Sequence, residues 1–230
     1  MRVDNDVTTG PVGTFLLVTG SNMAGKSTLL RTLGTNIVLA QAGAPVCAAA
    51  FSLPRLTLWT SMRPADSLAE GVSTFLAEVL RLKQVLEAAP DRESDGEALM
   101  CFLFDEIFQG TNTAERQIAA RRVIRYLLAR SSIGAVSTHD LTLAQSGDLA
   151  PFARCVHFKE TIAAKDGRPT MEFDYLIRPG LATSTNAMRL MELVGLAVDS
   201  DEDVSPRSAL EQGRPPEPGT GHGKTSIDPV

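Results

Sequence analysis

The stretch TGSNMAGKST, Thr19–Thr28, decides how this chain reads. It follows the apolar run TFLLV and precedes Leu29, Leu30, Leu33, Ile37 and Ala40, which recur at helical spacing. Gly20, Gly25, Lys26 and Ser27 fit G-x-x-x-x-G-K-[ST], a phosphate-binding loop set between a strand and a helix. The two glycines permit a tight turn and a close backbone approach to an anion. The helix that follows adds the positive end of its dipole. The pattern predicts a buried strand over 14–19 and a loop that wraps the phosphates of a nucleoside triphosphate with Gly20, Ser21, Asn22, Met23, Ala24, Gly25, Lys26, Ser27 and Thr28. Lys26 would reach the β- and γ-phosphates, and the Ser27 hydroxyl would hold Mg²⁺.

Downstream, LMCFLFDEI (Leu99–Ile107) is a continuous apolar run that ends in two acids. Such a run suits a central parallel strand covered on both faces. Its position predicts a Walker B element, with Asp105 on Mg²⁺ and Glu106 polarising the attacking water. By itself an Asp-Glu pair after a strand can be no more than a helix-start charge pair. A phosphate loop upstream and GTNT just behind favour the catalytic reading. AVSTHD places His139 at the end of another apolar strand. A histidine there can simply end a strand, or it can sense a γ-phosphate through its ring; beside a phosphate loop the second role is the one expected.

DSLAEGVSTF (Asp66–Phe75) puts Gly71, Ser73 and Thr74 at the start of an amphipathic helix. Hydroxyls and N–H groups in that position either cap the helix or receive an anion. The residues alone leave both open.

The 230 residues allow one domain with appendages, and 43% are hydrophobic. No apolar run approaches a membrane span. The N-terminal MRVDNDVTTG has no hydrophobic core of a signal sequence, so a cytoplasmic protein without a membrane partner is expected. Net charge is −5, and the densest basic run, Arg116–Arg130, has apolar residues at helical spacing that make its arginines a solvated helix face. Strong DNA binding by this chain alone is not expected. Cys47, Cys101 and Cys155 are far apart with no C-x-x-C pair, which favours buried reduced thiols over a disulfide frame or zinc site.

Helical and strand-like segments alternate along the chain. A strand is expected over 56–60, a helix over 72–89, a charged linker after it, a helix over 113–129 and a strand over 133–138. ARCVHFKE and PTMEFDYLI flank TIAAKDGR, whose Lys-Asp-Gly is turn chemistry, so an antiparallel hairpin follows. His157, in that hairpin, reads as structural. TNAMRLMELVGL is a short amphipathic helix. Residues 198–230 are rich in Pro, Gly and charge and are expected to be a disordered tail. The expected class is α/β, with a mostly parallel central sheet flanked by helices.

These segments together resemble the ATPase domain of the MutS family, which belongs to the ABC-type P-loop ATPases. TGSNMAGKST is similar to the family's T-G-P-N-M-x-G-K-S-T, including Asn22-Met23, which generic phosphate loops lack. DSLAEGVSTF resembles D-D-L-x-x-G-x-S-T-F, FDEIFQGTNT resembles D-E-I-x-x-G-T, and STHD resembles the family's T-H switch. VDNDV and FDYLIRPGLATSTNAMRLMELVGL resemble the stretches before the first strand and at the last strand and helix. The resemblance runs in order over residues 3–197, which sets a domain of 1–197 ahead of the tail. Ser21 in place of Pro, Ser67 in place of the second acid, and FQGTNT in place of G-R-G-T-S-T mark a divergent branch.

The resemblance implies ATP hydrolysis with Mg²⁺ in composite sites of a homodimer joined through its ATPase face. Ser73 would act in trans, and Asn112 across the interface or at its edge. It implies a setting in mismatch repair or recombination, with DNA gripped by mismatch-recognition and clamp domains that this chain lacks. Two rivals stand beside it. An ABC-type ATPase unrelated to repair would carry L-S-G-G-Q and a glutamine loop, and neither is found. A nucleotide-switched interaction module with little turnover is countered by the presence of Lys26 and Glu106.

Overall fold

A computed structural model describes residues 3–62, 74–91, 98–108, 112–165 and 168–182. Ser73, the helix expected within 185–196 and the expected tail lie outside the described residues.

β1 (Phe15–Thr19) is buried at all five positions. It runs through the loop into α1 (Lys26–Gln41). β2 (Leu56–Ser61), α2 (Thr74–Glu87), β3 (Leu99–Asp105), α3 (Thr113–Leu128) and β4 (Ser132–Ser137) follow, and then the short α4 (Thr142–Gln145). β5 (Ala153–Lys165) and β6 (Arg168–Pro179) complete one six-stranded sheet of order β2-β3-β4-β1-β5-β6. Every neighbouring pair is parallel except β5 and β6. The expected mixed α/β architecture with a mostly parallel sheet is therefore the observed one.

Because side chains alternate along a strand, the apolar run of β3 serves two cores. Met100, Phe102 and Phe104 join Phe15, Leu17 and Val136 under α2 and α3, with Ile124 and Leu127. Cys101 and Leu103 join Leu16, Val18 and Ala135 on the opposite face, under Leu30 and Ile37 of α1. At β1, β3 and β4 both faces of the sheet are thus covered, which is why these three strands read as continuous apolar segments. A methyl group on Gly134 of β4 would lie 2.4 Å from the Phe102 ring, so glycine here makes room for an aromatic side chain on the next strand.

α3 starts where a helix was expected, and the structure gives Asn112 a capping role that was not read from the sequence. Asn112 Oδ1 accepts the Glu115 N–H at 2.9 Å, and Glu115 lies in the first turn. The hairpin is longer than expected. Thr161–Lys165 continue β5 rather than forming the turn, with Thr161 opposite Glu172 and Ile162 opposite Met171. Of the three thiols, only Cys101 is buried; Cys155 is half-buried and Cys47 exposed, which corrects the expectation of buried cysteines. Burial pushes the Cys101 thiol up to about 12.

The chain start lies along the free edge of β6. Asn5 Nδ2 donates to the Tyr175 carbonyl at 2.9 Å, and Asn5 Oδ1 accepts the Ile177 N–H at 2.8 Å. One carboxamide thereby does for two edge groups what a further strand would do.

Candidate functional site

Sheet order places the site. β4 lies between β1 and β3, with Ser137 opposite both Val18 and Asp105. The Thr138 N–H donates to the Val18 carbonyl at 3.0 Å and the Glu106 N–H to the Ser137 carbonyl at 3.1 Å, which carries the ladder one step past the strands. The C-terminal ends of three adjacent strands therefore deliver the 20–25 loop, Asp105-Glu106 and Thr138-His139 to one edge. In open α/β sheets this is where ligands bind.

The loop has the backbone that its glycines foretell. Gly20 and Gly25 have φ of 136° and 107°, and a Cβ on Gly20 would come within 3.0 Å of the Phe158 carbonyl oxygen. Met23 also has positive φ, 70°, and its side chain is 85% exposed at the loop tip beside exposed Asn22. Ala24 is buried, Ser27 half-buried and Thr28 exposed. Among the described residues the buried Ser21 Oγ has no hydrogen-bond partner. Among the described residues no side chain caps α1, and no acid lies in its first turn, in contrast with α3. The first-turn N–H groups of α1 thus keep an electrostatic preference for an anion.

Lys26 is folded back over this loop. Its ammonium donates to the carbonyls of Gly20 (2.8 Å) and Ser21 (2.9 Å) and lies 3.6 Å from Glu106 Oε1. Burial lowers the ammonium below the usual lysine range, an effect that Glu106 and then Asp105 offset in part. Glu106 Oε1 is also 3.2 Å from His139 Nδ1. Lys26, Glu106 and His139, predicted from three separate motifs, therefore converge on one carboxylate oxygen. Asp105 is buried, and its carboxylate accepts the Ser137 hydroxyl. Asn112, exposed, uses its side chain as the cap of α3.

The turn after β3 is strained. Glu106 and Phe108 have φ of 50° and 64°. Non-glycine residues held so cost on the order of 1–3 kcal/mol each and persist where neighbours over-determine them.

Three residues of this region were not singled out from the sequence. Glu78 of α2 accepts the Phe108 N–H at 2.7 Å. Tyr175, half-exposed at φ 57°, sets its ring beside the loop, where a Cβ on Gly25 would meet Cδ1 at 3.4 Å. Asp140 fixes the segment behind His139: it accepts from Gln117 Nε2 (2.8 Å), the Thr142 N–H (3.0 Å) and the Thr142 hydroxyl (2.6 Å), and lies 3.8 Å from Arg116. Burial would raise its carboxyl, but the bonds from Thr142 and Gln117 and the Arg116 charge outweigh it and hold it below the usual carboxylate range. His157 has the structural setting expected of it, with Nδ1 3.2 Å from the Gly180 carbonyl.

The MutS domain V family model matches residues 16–201 of this chain. The chain belongs to the MutS family. It is 34% identical over 198 residues to the DNA mismatch repair protein MutS 2 of Halobacterium salinarum, covering 84% of this chain and 21% of that protein. It is also 34% identical over 198 residues to the DNA mismatch repair protein MutS of Shouchella clausii, with the same coverage of each. A second MutS 2, from Haloarcula marismortui, is 31% identical over 236 residues, with 94% of this chain and 24% of that protein covered. The chain thus spans about a fifth of the length of these relatives. Among the described residues no helix is long and apolar enough to cross a membrane.

Proposed function

We propose that this chain binds ATP with Mg²⁺ and hydrolyses it, as the ATPase part of a cytoplasmic DNA mismatch repair or recombination protein. One observation carries the reading: Lys26 and His139 both reach Glu106 Oε1, beside a helix N-terminus that no described side chain caps. The doubly covered, mostly parallel sheet supports a P-loop NTPase fold of the ABC-ATPase type.

The residues present suit the nucleotide and its metal. Gly20 and Gly25 lie in conformations that favour glycine, which brings loop N–H groups close to phosphate. Among the described residues no cluster of three or more His, Cys, Asp or Glu could hold a metal alone. Mg²⁺ needs no such cluster, since one or two side chains plus phosphate oxygens hold it. Ser27 and Asp105 would be those side chains, and a buried carboxylate whose partner is a hydroxyl gains from a cation. When bound, Mg²⁺ neutralises charge that develops on the phosphates.

Lys26 already has two carbonyls as partners, so its remaining N–H direction and its charge go to the β- and γ-phosphates. As the triphosphate draws on the ammonium, Glu106 is released from that ion pair to orient and deprotonate water. His139 stands on the other side of Glu106 and would turn its ring N–H from that carboxylate to the γ-phosphate. The Tyr175 ring offers an apolar face beside the loop for the base. Two chains would complete each other's sites, Ser73 acting in trans and Asn112 at the interface edge, while DNA would be held by other domains or a partner protein.

Steady-state hydrolysis at rising protein concentration tests this reading. Lys26→Ala and Ser73→Ala should each be nearly inactive alone, and their mixture should regain part of the wild-type rate because one heterodimer site is intact. ATP binding without turnover would favour the nucleotide-switched module instead. Neither binding nor turnover would sink the proposal.

A further inference from the structure

α2 holds the turn that carries Glu106 through two contacts to Phe108. The Phe108 N–H donates to Glu78 Oε1 at 2.7 Å, a charge-assisted bond in a partly buried setting. The Phe108 ring lies 6.2 Å from the Phe75 ring, centroid to centroid, with planes at 53°. Phe75 and Glu78 are three residues apart and so lie on one side of α2. Phe108 itself is 4% exposed, and both it and Glu106 keep positive φ. Leu82 and Val85 sink the next turns of the same helix into the core. A shift or rotation of the start of α2 would therefore carry the Glu78 acceptor with it, and Phe108 is only two residues from Glu106.

We propose that Glu78 is a positioning residue: with Phe75 it forms a strut between α2 and the strained 106–108 turn, and so sets where the Glu106 carboxylate stands. The proposal rests on the ATPase reading above and adds a direction of control to it. α2 begins at Thr74, directly after Ser73. Under that reading Ser73 stands one residue ahead of α2 in the sequence, and the strut would join the first turns of α2 to the acid proposed to activate water. No bound group is needed to form the strut, so it can be tested in the nucleotide-free chain.

The test compares wild type, Glu78→Ala and Glu78→Gln in the full chain. Glutamine keeps an Oε1 acceptor, whereas alanine removes it. Amide hydrogen exchange should be about tenfold faster at Phe108 in Glu78→Ala, with Phe102 in β3 unchanged as a control for global opening. Glu78→Gln should stay near wild type. In hydrolysis, Glu78→Ala should lower kcat about tenfold with KM for ATP unchanged, and Glu78→Gln should recover most of it. Unchanged Phe108 exchange in Glu78→Ala would overturn the strut. Faster exchange with wild-type kcat would overturn its link to Glu106, as would parallel losses in kcat and KM that glutamine does not rescue. A wild-type chain that hydrolyses no ATP would overturn the ATPase reading and the control with it, while the exchange result would still decide the strut.

Discussion

The Lys26 ammonium lies 3.6 Å from Glu106, with side chains 5% and 12% exposed, and burial outweighs the carboxylate in setting the lysine's affinity for its proton. The folded pKa is therefore lower than the unfolded one. Between the two values the unfolded chain binds more protons, so this group makes stability rise with pH. Its charge costs stability below the folded pKa, and that cost disappears as pH climbs toward 10.5. Cys101 works in the opposite direction: its thiol, raised from 9.0 to about 12, makes stability fall over that interval. The expected outcome is that wild type gains on Lys26→Met as pH is raised through the alkaline range, since Cys101 is common to both and cancels. Urea unfolding of the pair at several pH values checks it. A gap that moves the other way would show that Glu106 outweighs burial.

Glu106→Gln keeps the size of the side chain and much of its hydrogen bonding but removes the proposed base. ATP should still raise the melting temperature by mass action, while hydrolysis falls by about 10²-fold or more. Thermal shift and single-turnover hydrolysis on the same preparation separate the two effects. Wild-type turnover in this variant would make Glu106 a structural acid.

Asp140→Ala should loosen the link between α3 and the His139 segment, since Gln117 and Thr142 lose their common acceptor. Hydrogen bonds to a charged group put the loss at about 1.5–3 kcal/mol near neutral pH. The carboxyl is held low in the folded chain, so its contribution is present above pH 3.8 and is lost as pH falls through the folded value. Urea unfolding of both proteins should show the gap closing in acid. A gap independent of pH would assign the loss to packing instead.

Gly134→Ala should destabilise by about 1–3 kcal/mol, because a methyl group 2.4 Å from a buried ring forces the core to move. Trimming the ring in a Gly134→Ala, Phe102→Leu double variant should recover part of the loss, a coupling that denaturant melts can measure. Purely additive losses would argue that the backbone of β4, not the Phe102 ring, limits this position.

The loop and the three buried strands were legible in the sequence because each rests on a local pattern: glycine spacing at 20 and 25, unbroken apolar runs at β1, β3 and β4. The start of α3 at Thr113 was legible from its helical spacing, whereas the capping role of Asn112 was not read from the sequence. Glu78, Asp140 and Tyr175 escaped because what they touch is remote: Glu78 meets a turn 30 residues away, and Asp140 a helix 23 residues back. Nothing in the spacing of those residues announces such contacts. The hairpin length is a different case. Lys-Asp-Gly drew the turn outward along TIAAKDGR, yet Thr161 and Ile162 are β-branched and could have extended the strand.

Asn5 grips the edge of β6 at Tyr175, and the Tyr175 ring rests beside Gly25. The start of the chain is thus moored to β6, two short links from the 20–25 loop. Tension applied ahead of Asn5, by anything joined to that end, is borne first by these two hydrogen bonds. The loop would feel such a pull as a displaced aromatic ring long before any strand of the sheet gave way.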